Sequence, residues 1–86
     1  MPRLILSKNF INCHKKIIRS NQSLKNQSRK TIEYLSKGLG HQSLRIHKLK
    51  NLDYWSVYVN KSIRIIVKID GDDVYLIDIG KHEDVY

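Results

Sequence analysis

Three segments of the chain hold side chains suited to chemistry on a phosphate group. They are His47-Lys48-Leu49-Lys50, the strand arginine Arg64, and the stretch Gly80-Lys81-His82-Glu83-Asp84-Val85-Tyr86. An imidazole such as that of His82 has an ordinary pKa near neutrality, so it can accept and return a proton at physiological pH. The guanidinium of Arg64 is always protonated and can hold a phosphate through two donors at once. These residue types suit proton transfer beside a bound anion.

The charge balance of the chain indicates an anionic partner. It has 16 Lys and Arg against 8 Asp and Glu, which gives a formal net charge of +8 at pH 7. Residues 1–69 hold 15 of the basic side chains and only two acidic ones, Glu33 and Asp53, whereas residues 70–86 hold six acidic side chains and Lys81. We therefore expect one anion-binding face. Nucleic acid, an anionic membrane, an acidic protein and simple solubility all remain open as reasons for the surplus.

Other features narrow the class of protein. Cys13 is the only cysteine, so no internal disulfide can form and a structural zinc site is not expected. The four histidines form no recognisable metal motif, and we expect no cofactor. No apolar run approaches the roughly 20 residues that span a bilayer, and the start MPRLILSKNF lacks a signal-peptide pattern. We therefore expect a cytoplasmic protein with no membrane partner.

The hydrophobic pattern predicts one α+β domain over residues 1–86. A short apolar strand, Arg3–Leu6, precedes two segments of helical spacing, the first capped by Ser7 and the second closed by Gly38. From Tyr54 onward the period changes to two, which is typical of strands with one buried face. The weaker alternation of His41–Lys50 adds a further strand. The predicted order is β-α-α-β-β-β, with an antiparallel sheet packed on one face by a helical hairpin.

The alternation also predicts the register of the central hairpin. If Asn60-Lys61-Ser62 is the turn, Val57 lies opposite Ile65 on the core face, and Tyr58 lies opposite Arg64 on the other face. A two-residue turn would instead place Arg64 beside core valines. The free face of the sheet is therefore expected to carry Tyr58, Arg64 and Lys68.

In order and spacing, these segments resemble the RelE/ParE superfamily of toxins from type II toxin–antitoxin systems. The resemblance is strongest over Arg45–Tyr86, where RIHKLKN, YWSVYVNKSIRIIVKI and VYLIDIGKHEDVY look like the second half of the family. Resemblance to the RelE branch implies a metal-independent endoribonuclease that cleaves messenger RNA, typically on the ribosome, and so inhibits translation. It implies as partners the ribosome with its messenger RNA and a cognate antitoxin, through which oligomers would mainly form.

The resemblance also implies roles for individual residues. The reaction has the 2′-OH of a nucleotide attack the adjacent phosphorus, which needs a proton acceptor, a proton donor and fixed positive charge. His82 matches the family's general acid or base, and Tyr86 a terminal aromatic that stacks on or orients a base. Arg64 matches an arginine that contacts the scissile phosphate, and His47 a second catalytic histidine of some members. Which of His47, His82 and Tyr86 is acid and which is base stays open.

Further residues are expected to contact RNA. Five lysines would contact phosphates at the mouth of the site, namely Lys48, Lys50, Lys61, Lys68 and Lys81. Tyr58 would stack a base, as aromatics often do in single-stranded RNA recognition. One departure is that Ser56 and Tyr58 stand where the best-known ribosome-dependent members carry two lysines.

Several alternatives stay open at this point. His82 would also suit a surface histidine beside two acids, Tyr86 a cap on the sheet edge, and Arg64 an ion pair with Asp78 on the neighbouring strand. At the level of function, the ParE-like branch inhibits DNA gyrase by binding it and cleaves no RNA. A degenerate domain that binds RNA without cutting it is the third possibility.

Overall fold

A computed structural model describes residues 2–40, 44–49 and 53–81 of the chain. Its elements in chain order are β1 (Arg3–Leu6), α1 (Lys8–Ile18), α2 (Gln22–Lys37), β2 (Ile46–Lys48), β3 (Tyr54–Tyr58), β4 (Ile63–Asp70) and β5 (Asp73–Lys81). The predicted α+β class and the helical hairpin after the first strand are confirmed. The strand expected within His41–Lys50 forms as the short strand β2, and with it the described order has one strand more than β-α-α-β-β-β.

The sheet has the strand order β1-β5-β4-β3-β2. The neighbours among β2 to β5 are antiparallel, but β1 pairs in parallel with β5, with Leu4 opposite Val74. The prediction of an antiparallel sheet was therefore wrong for one strand, and the sheet is mixed. Alternation of apolar residues fixes which side chains face the core, yet it carries no information about the direction in which a strand runs.

Local hydrogen bonds define where the helices begin and end. The Ser7 hydroxyl accepts from the backbone N–H of Phe10 at 3.0 Å, which confirms the predicted N-cap of α1. The Asn21 side chain caps α2 in the same way, accepting from the N–H of Leu24 at 3.0 Å. Gly38, with φ at 144°, ends α2 in a conformation that side-chain-bearing residues rarely adopt. Within the described residues, neither helix is long and apolar enough to cross a membrane.

Both helices pack on one face of the sheet around a single hydrophobic core. The helices contribute Phe10, Leu24 and Leu35, and the strands contribute Val57, Ile65, Val67, Val74, Leu76 and Ile79, all of them buried. Burial of each such side chain is worth about 1.5–3 kcal/mol, so this layer supplies most of the stability. The other face of the sheet is left to carry the candidate site.

The register of the β3–β4 hairpin matches the prediction in each pair. Val57 is opposite Ile65, Tyr58 is opposite Arg64, and the N–H of Val59 donates to the carbonyl of Ile63 at 3.1 Å. The Asn60 side chain stabilises the turn by accepting from the backbone N–H groups of Ser62 and Ile63, both at 2.8 Å. The turn therefore determines which residue of β4 lies opposite Tyr58.

Strand β5 contains a bulge that the alternation did not predict. Ile66 pairs with Asp78 and Val67 pairs with Leu76, so Ile77 is an extra residue. Its carbonyl accepts hydrogen bonds from the Ser7 hydroxyl at 3.0 Å and the Asn9 amide at 2.9 Å, both at the start of α1. The bulge allows Leu76 and Ile79, three residues apart, both to face the core.

His14 links the two helices. Its ring stacks on Phe10 with centroids 5.5 Å apart, and its Nε2 lies 2.9 Å from the hydroxyl oxygen of buried Ser28. Because the Ser28 hydroxyl donates to the Lys25 carbonyl at 3.1 Å, it can accept a hydrogen bond from a protonated Nε2. Partial burial lowers the pKa of His14.

This arrangement predicts that the domain loses stability in acid. The unfolded chain takes up a proton at His14 near the ordinary pKa of about 6.5, whereas the folded chain does so only at lower pH. The contribution is thus present above that value and is lost as the pH falls below it. The free energy of unfolding, measured with urea, should fall between about pH 7.5 and about pH 5. The fall should be smaller for His14→Gln than for the wild type. Equal losses would show that His14 titrates alike in both states.

Candidate nucleic-acid interface

Three side chains form a guanidinium cluster on the sheet face away from the helices. Tyr58 lies in β3, and both Arg45 and Arg64 approach its ring, with their Cζ atoms 5.0 Å and 4.8 Å from the centroid. Arg64 is the direct cross-strand partner of Tyr58, and the Arg45 carbonyl accepts from the Tyr58 N–H at 2.9 Å. The cluster therefore follows from strand pairing, and cation–π attraction stabilises both cations over the ring.

Backbone carbonyls hold Arg64 in place and leave part of its guanidinium free. Nη1 donates to the Asn60 carbonyl at 2.7 Å and to the Ile63 carbonyl at 3.2 Å. Within the described part of the chain, Nε and Nη2 of Arg64 make no hydrogen bond. Those two donors have the spacing that binds two oxygens of one phosphate.

The alternative ion pair between Arg64 and Asp78 does not form. Asp78 is opposite Ile66, and its Oδ1 accepts from the backbone N–H of Ile79 at 2.8 Å. The one ion pair found among residues 2–40, 44–49 and 53–81 joins Arg3 to Asp73 at 2.9 Å, at the far edge of the sheet. The charges of the guanidinium cluster are therefore not neutralised by a carboxylate of the described chain.

Arg45 was not among the predicted site residues, although the sequence contained a signal for it. It is exposed and lies two residues before His47, so both side chains project from the same face of the strand. Arg45 belongs to the site because it contacts Tyr58. That contact depends on the short strand β2, which the alternation indicated only weakly. Close approach of two like charges is unfavourable unless an anion binds between them.

His47 is exposed on the same face as the cluster. It is opposite Ser56, which makes Tyr58 its diagonal cross-strand neighbour at a distance of about 7–8 Å. The structure brings together the predicted residues His47, Tyr58 and Arg64.

The predicted lysines divide between the two faces. Lys68 shares the face of the cluster, opposite Tyr54 and Tyr75, but lies four residues along β4 from Arg64, a separation of about 13 Å. Lys48 pairs with Trp55, whose ring packs against the core, and its Nζ is 5.9 Å from that ring. Because successive residues of a strand point to opposite faces of the sheet, Lys48 does not share the face of His47.

Lys61 and Lys81 lie at one end of the sheet, beside a groove on the helix side. Lys61 is in the β3–β4 turn, and Lys81 pairs with core-facing Ile63. The groove has a volume of about 1050 Å³, with an apolar floor that includes Ile17 and Leu24. Lys16 of α1 joins the other two lysines along its lining. The groove lining thus combines apolar side chains with three lysines and one carboxylate, that of Asp78.

Three predicted residues, His82, Tyr86 and Lys50, lie outside the described residues, and their roles stay predictions. The strand that leads toward His82 is described as far as Lys81, and Gly80 is directly opposite Arg64. In the described part of the chain, no three His, Cys, Asp or Glu side chains are grouped as a metal site requires.

Comparison with known proteins gives matches in structure alone. No protein-family model matches the chain. No curated protein sequence matches it either.

Solved structures match over 95% of the chain or more at low sequence identity. YafQ from Escherichia coli aligns with a TM-score of 0.82 and 14% identity over 100% of this chain and 99% of its own. A metal-bound toxin from Helicobacter pylori aligns at 0.79 and 19% identity over 100% of both chains. A chain of the RelB–RelE antitoxin–toxin complex from Methanococcus jannaschii aligns at 0.76 and 18% identity, over 95% of this chain and 94% of that one. Two helices packed on a mixed five-stranded sheet are thus the fold of the RelE and YafQ toxins.

Proposed function

We propose that this protein is the toxin of a type II toxin–antitoxin pair and acts as an endoribonuclease that cleaves messenger RNA on the ribosome. The observation that carries the proposal is the guanidinium cluster. Arg45 and Arg64 converge on Tyr58 without a carboxylate partner in the described chain, on the sheet face that also holds exposed His47. Inhibition of translation follows from the loss of the message.

The cluster suits the charge that develops during RNA cleavage. When a 2′-oxygen attacks the adjacent phosphorus, a bond forms between them while the bond to the leaving 5′-oxygen breaks. The phosphorane carries additional negative charge, and the free Nε and Nη2 of Arg64 supply fixed donors for it. Because Arg64 is already held by two carbonyls, little reorganisation is needed when the charge develops.

His47 and His82 are the proposed proton-transfer groups. One group must take the proton of the attacking 2′-OH, and another must protonate the leaving 5′-oxygen. His47 lies on the face of the cluster, and His82 follows the strand whose Gly80 is opposite Arg64. Imidazole is the side-chain type that can both accept and return a proton near neutral pH. The planar guanidiniums over Tyr58 offer a surface on which a base can stack.

A cognate antitoxin is the proposed protein partner. Two of the structurally similar proteins were solved with an antitoxin, in the RelB–RelE and DinJ–YafQ complexes. The groove at the end of the sheet is lined by apolar side chains and by three lysines against one carboxylate, that of Asp78. That combination suits an amphipathic segment with acidic side chains, which would satisfy both the apolar area and the charge.

The role of Arg64 can be tested by replacing it with glutamine and with lysine. Arg64→Gln should lower cleavage by about 10²–10³-fold, because a fixed donor to the transition state is lost. Arg64→Lys should restore only part of the activity, since it keeps the charge but not the paired donors. Primer extension on messenger RNA incubated with ribosomes measures the cuts. Lys37→Gln, the same charge change at the end of α2, is the control and should cut normally.

Substitution of the histidines tests the proton-transfer roles. His82→Ala and His47→Ala should each lower cleavage, by about 10²–10⁴-fold where the residue transfers a proton, and should relieve growth arrest without unfolding the domain. If both variants still cut at the wild-type rate, the assignment of these residues is wrong. Growth arrest with DNA damage and intact messages would instead indicate a gyrase inhibitor and contradict the proposed function.

A further inference from the structure

Asn60 joins three parts of the molecule through hydrogen bonds. Its side-chain Oδ1 accepts from the backbone N–H groups of Ser62 and Ile63, both at 2.8 Å, and its carbonyl accepts from Nη1 of Arg64 at 2.7 Å. Its Nδ2 donates to Oε1 of Gln27 on α2 at 2.8 Å. One residue thus connects the β3–β4 turn, the guanidinium cluster and the second helix.

The bond to Gln27 is not needed to form the turn. The two bonds that Oδ1 accepts lie within the turn itself and are enough to define its shape. The Nδ2 bond instead joins residues 33 positions apart in the sequence. It therefore fixes where the turn lies relative to α2, and with it the carbonyl that holds Arg64.

Helix α2 reaches the same hairpin at a second point. Buried Thr31 follows Gln27 by one helical turn, so both side chains project from the same side of the helix. The Thr31 hydroxyl oxygen lies 3.5 Å from the carbonyl oxygen of Tyr58, whose ring contacts Arg64. The helix thus contacts the residue under the guanidinium as well as the residue that holds it.

Arg64 needs this support to stay in place. Its side chain is long and has many rotamers, and Arg45 places a like charge over the same ring. The 2.7 Å bond to the Asn60 carbonyl opposes both effects, since a hydrogen bond of that length tolerates little displacement. A carbonyl can hold a side chain only as firmly as its own residue is held. The placement of Asn60 therefore determines the placement of the free Nε and Nη2 of Arg64.

We propose that Gln27 and Asn60 are positioning residues, which hold the Arg64 guanidinium where its free donors meet the scissile phosphate. This inference rests on the proposed function, in which Arg64 stabilises the transition state of RNA cleavage. Asn60 acts through its carbonyl, and Gln27 acts through Asn60. Because a misplacement of about 1 Å can cost about 10²-fold in rate, a hydrogen bond outside the site is able to affect cleavage.

Substitution of Gln27 separates this role from a general effect on folding. Gln27 is exposed, and alanine is the best helix former, so Gln27→Ala removes the acceptor without weakening α2. Gln27→Glu is the matched control, because it keeps an oxygen that can accept from Nδ2 of Asn60. Asn60→Ala removes the donor and also the bonds that close the turn. Each change is made in the wild type and in Arg64→Gln, and cleavage of messenger RNA on ribosomes is measured as kcat and KM.

Gln27→Ala should lower kcat by about tenfold and leave KM unchanged within about twofold, because the lost interaction acts in the transition state. Gln27→Glu should restore most of the wild-type rate, and Asn60→Ala should lower kcat at least as far as Gln27→Ala. In the Arg64→Gln background, Gln27→Ala should cause no further loss, because residues that act as a unit are not additive. A purely structural role would give the same loss in both backgrounds.

Nuclear magnetic resonance gives a readout that needs no RNA. Hydrogen bonds from Nη1 slow the rotation of the Arg64 guanidinium, and this rotation is measured from the nitrogen and proton signals of the side chain. The signals are assigned by their loss in Arg64→Gln. Rotation should be faster in Gln27→Ala than in the wild type and in Gln27→Glu, at an unchanged free energy of unfolding.

The outcomes separate this inference from the proposed function. A wild-type kcat for Gln27→Ala would overturn the inference, and so would a loss that is equally large in the Arg64→Gln background. If Asn60→Ala does not fold, the two Gln27 variants decide the matter alone. Failure of the wild type to cut messenger RNA, with guanidinium rotation that still depends on Gln27, would contradict the proposed function and leave the positioning of Arg64 through Asn60 supported.

Discussion

The pairing of Tyr58 with Arg64 across the β3–β4 hairpin is the contact on which the candidate site depends. It exists because the Asn60 side chain accepts two backbone N–H groups and fixes a three-residue turn. A slip by one residue would turn Arg64 toward the core and place Ile65 in water, at the cost of both an unpaired buried charge and an exposed apolar side chain. The hydrophobic core and the cationic site are therefore specified by the same register, and neither can shift without the other.

The two faces of the sheet have different environments, one apolar and one cationic. The face under the helices is apolar and packs against Phe10, Leu24 and Leu35, whereas the other face carries two guanidiniums over one phenol ring. Arginine suits this position better than lysine would, because its planar, weakly hydrated group can lie on an aromatic ring and still present donors outward. Tyr58 thus holds the two cations in place without neutralising them, which a carboxylate would have done.

Much of the fold could be predicted from the sequence because it depends on periodicity. The Ser7 cap, the helical hairpin and the pairs of the central hairpin followed from local rules. The parallel pairing of β1 with β5 and the bulge at Ile77 did not, since they result from how distant segments meet and leave no mark on the alternation of either segment.

The residues of the candidate site divide in the same way into those that the sequence predicts and those that it does not. Tyr58 and Arg64 were found through register, whereas Arg45 depends on the placement of β2, and Lys48 was grouped with His47 although neighbouring residues of a strand face opposite ways.

The distribution of charge explains why such a domain would need a partner. Exposed cations of the two helices, such as Lys15 and Arg29, and the guanidinium cluster of the sheet have no carboxylate within 4.0 Å in the described chain. With a formal net charge of +8 on 86 residues, self-repulsion opposes the hydrophobic burial that holds the fold together. Any polyanion that binds the folded chain but not the unfolded one stabilises it by mass action.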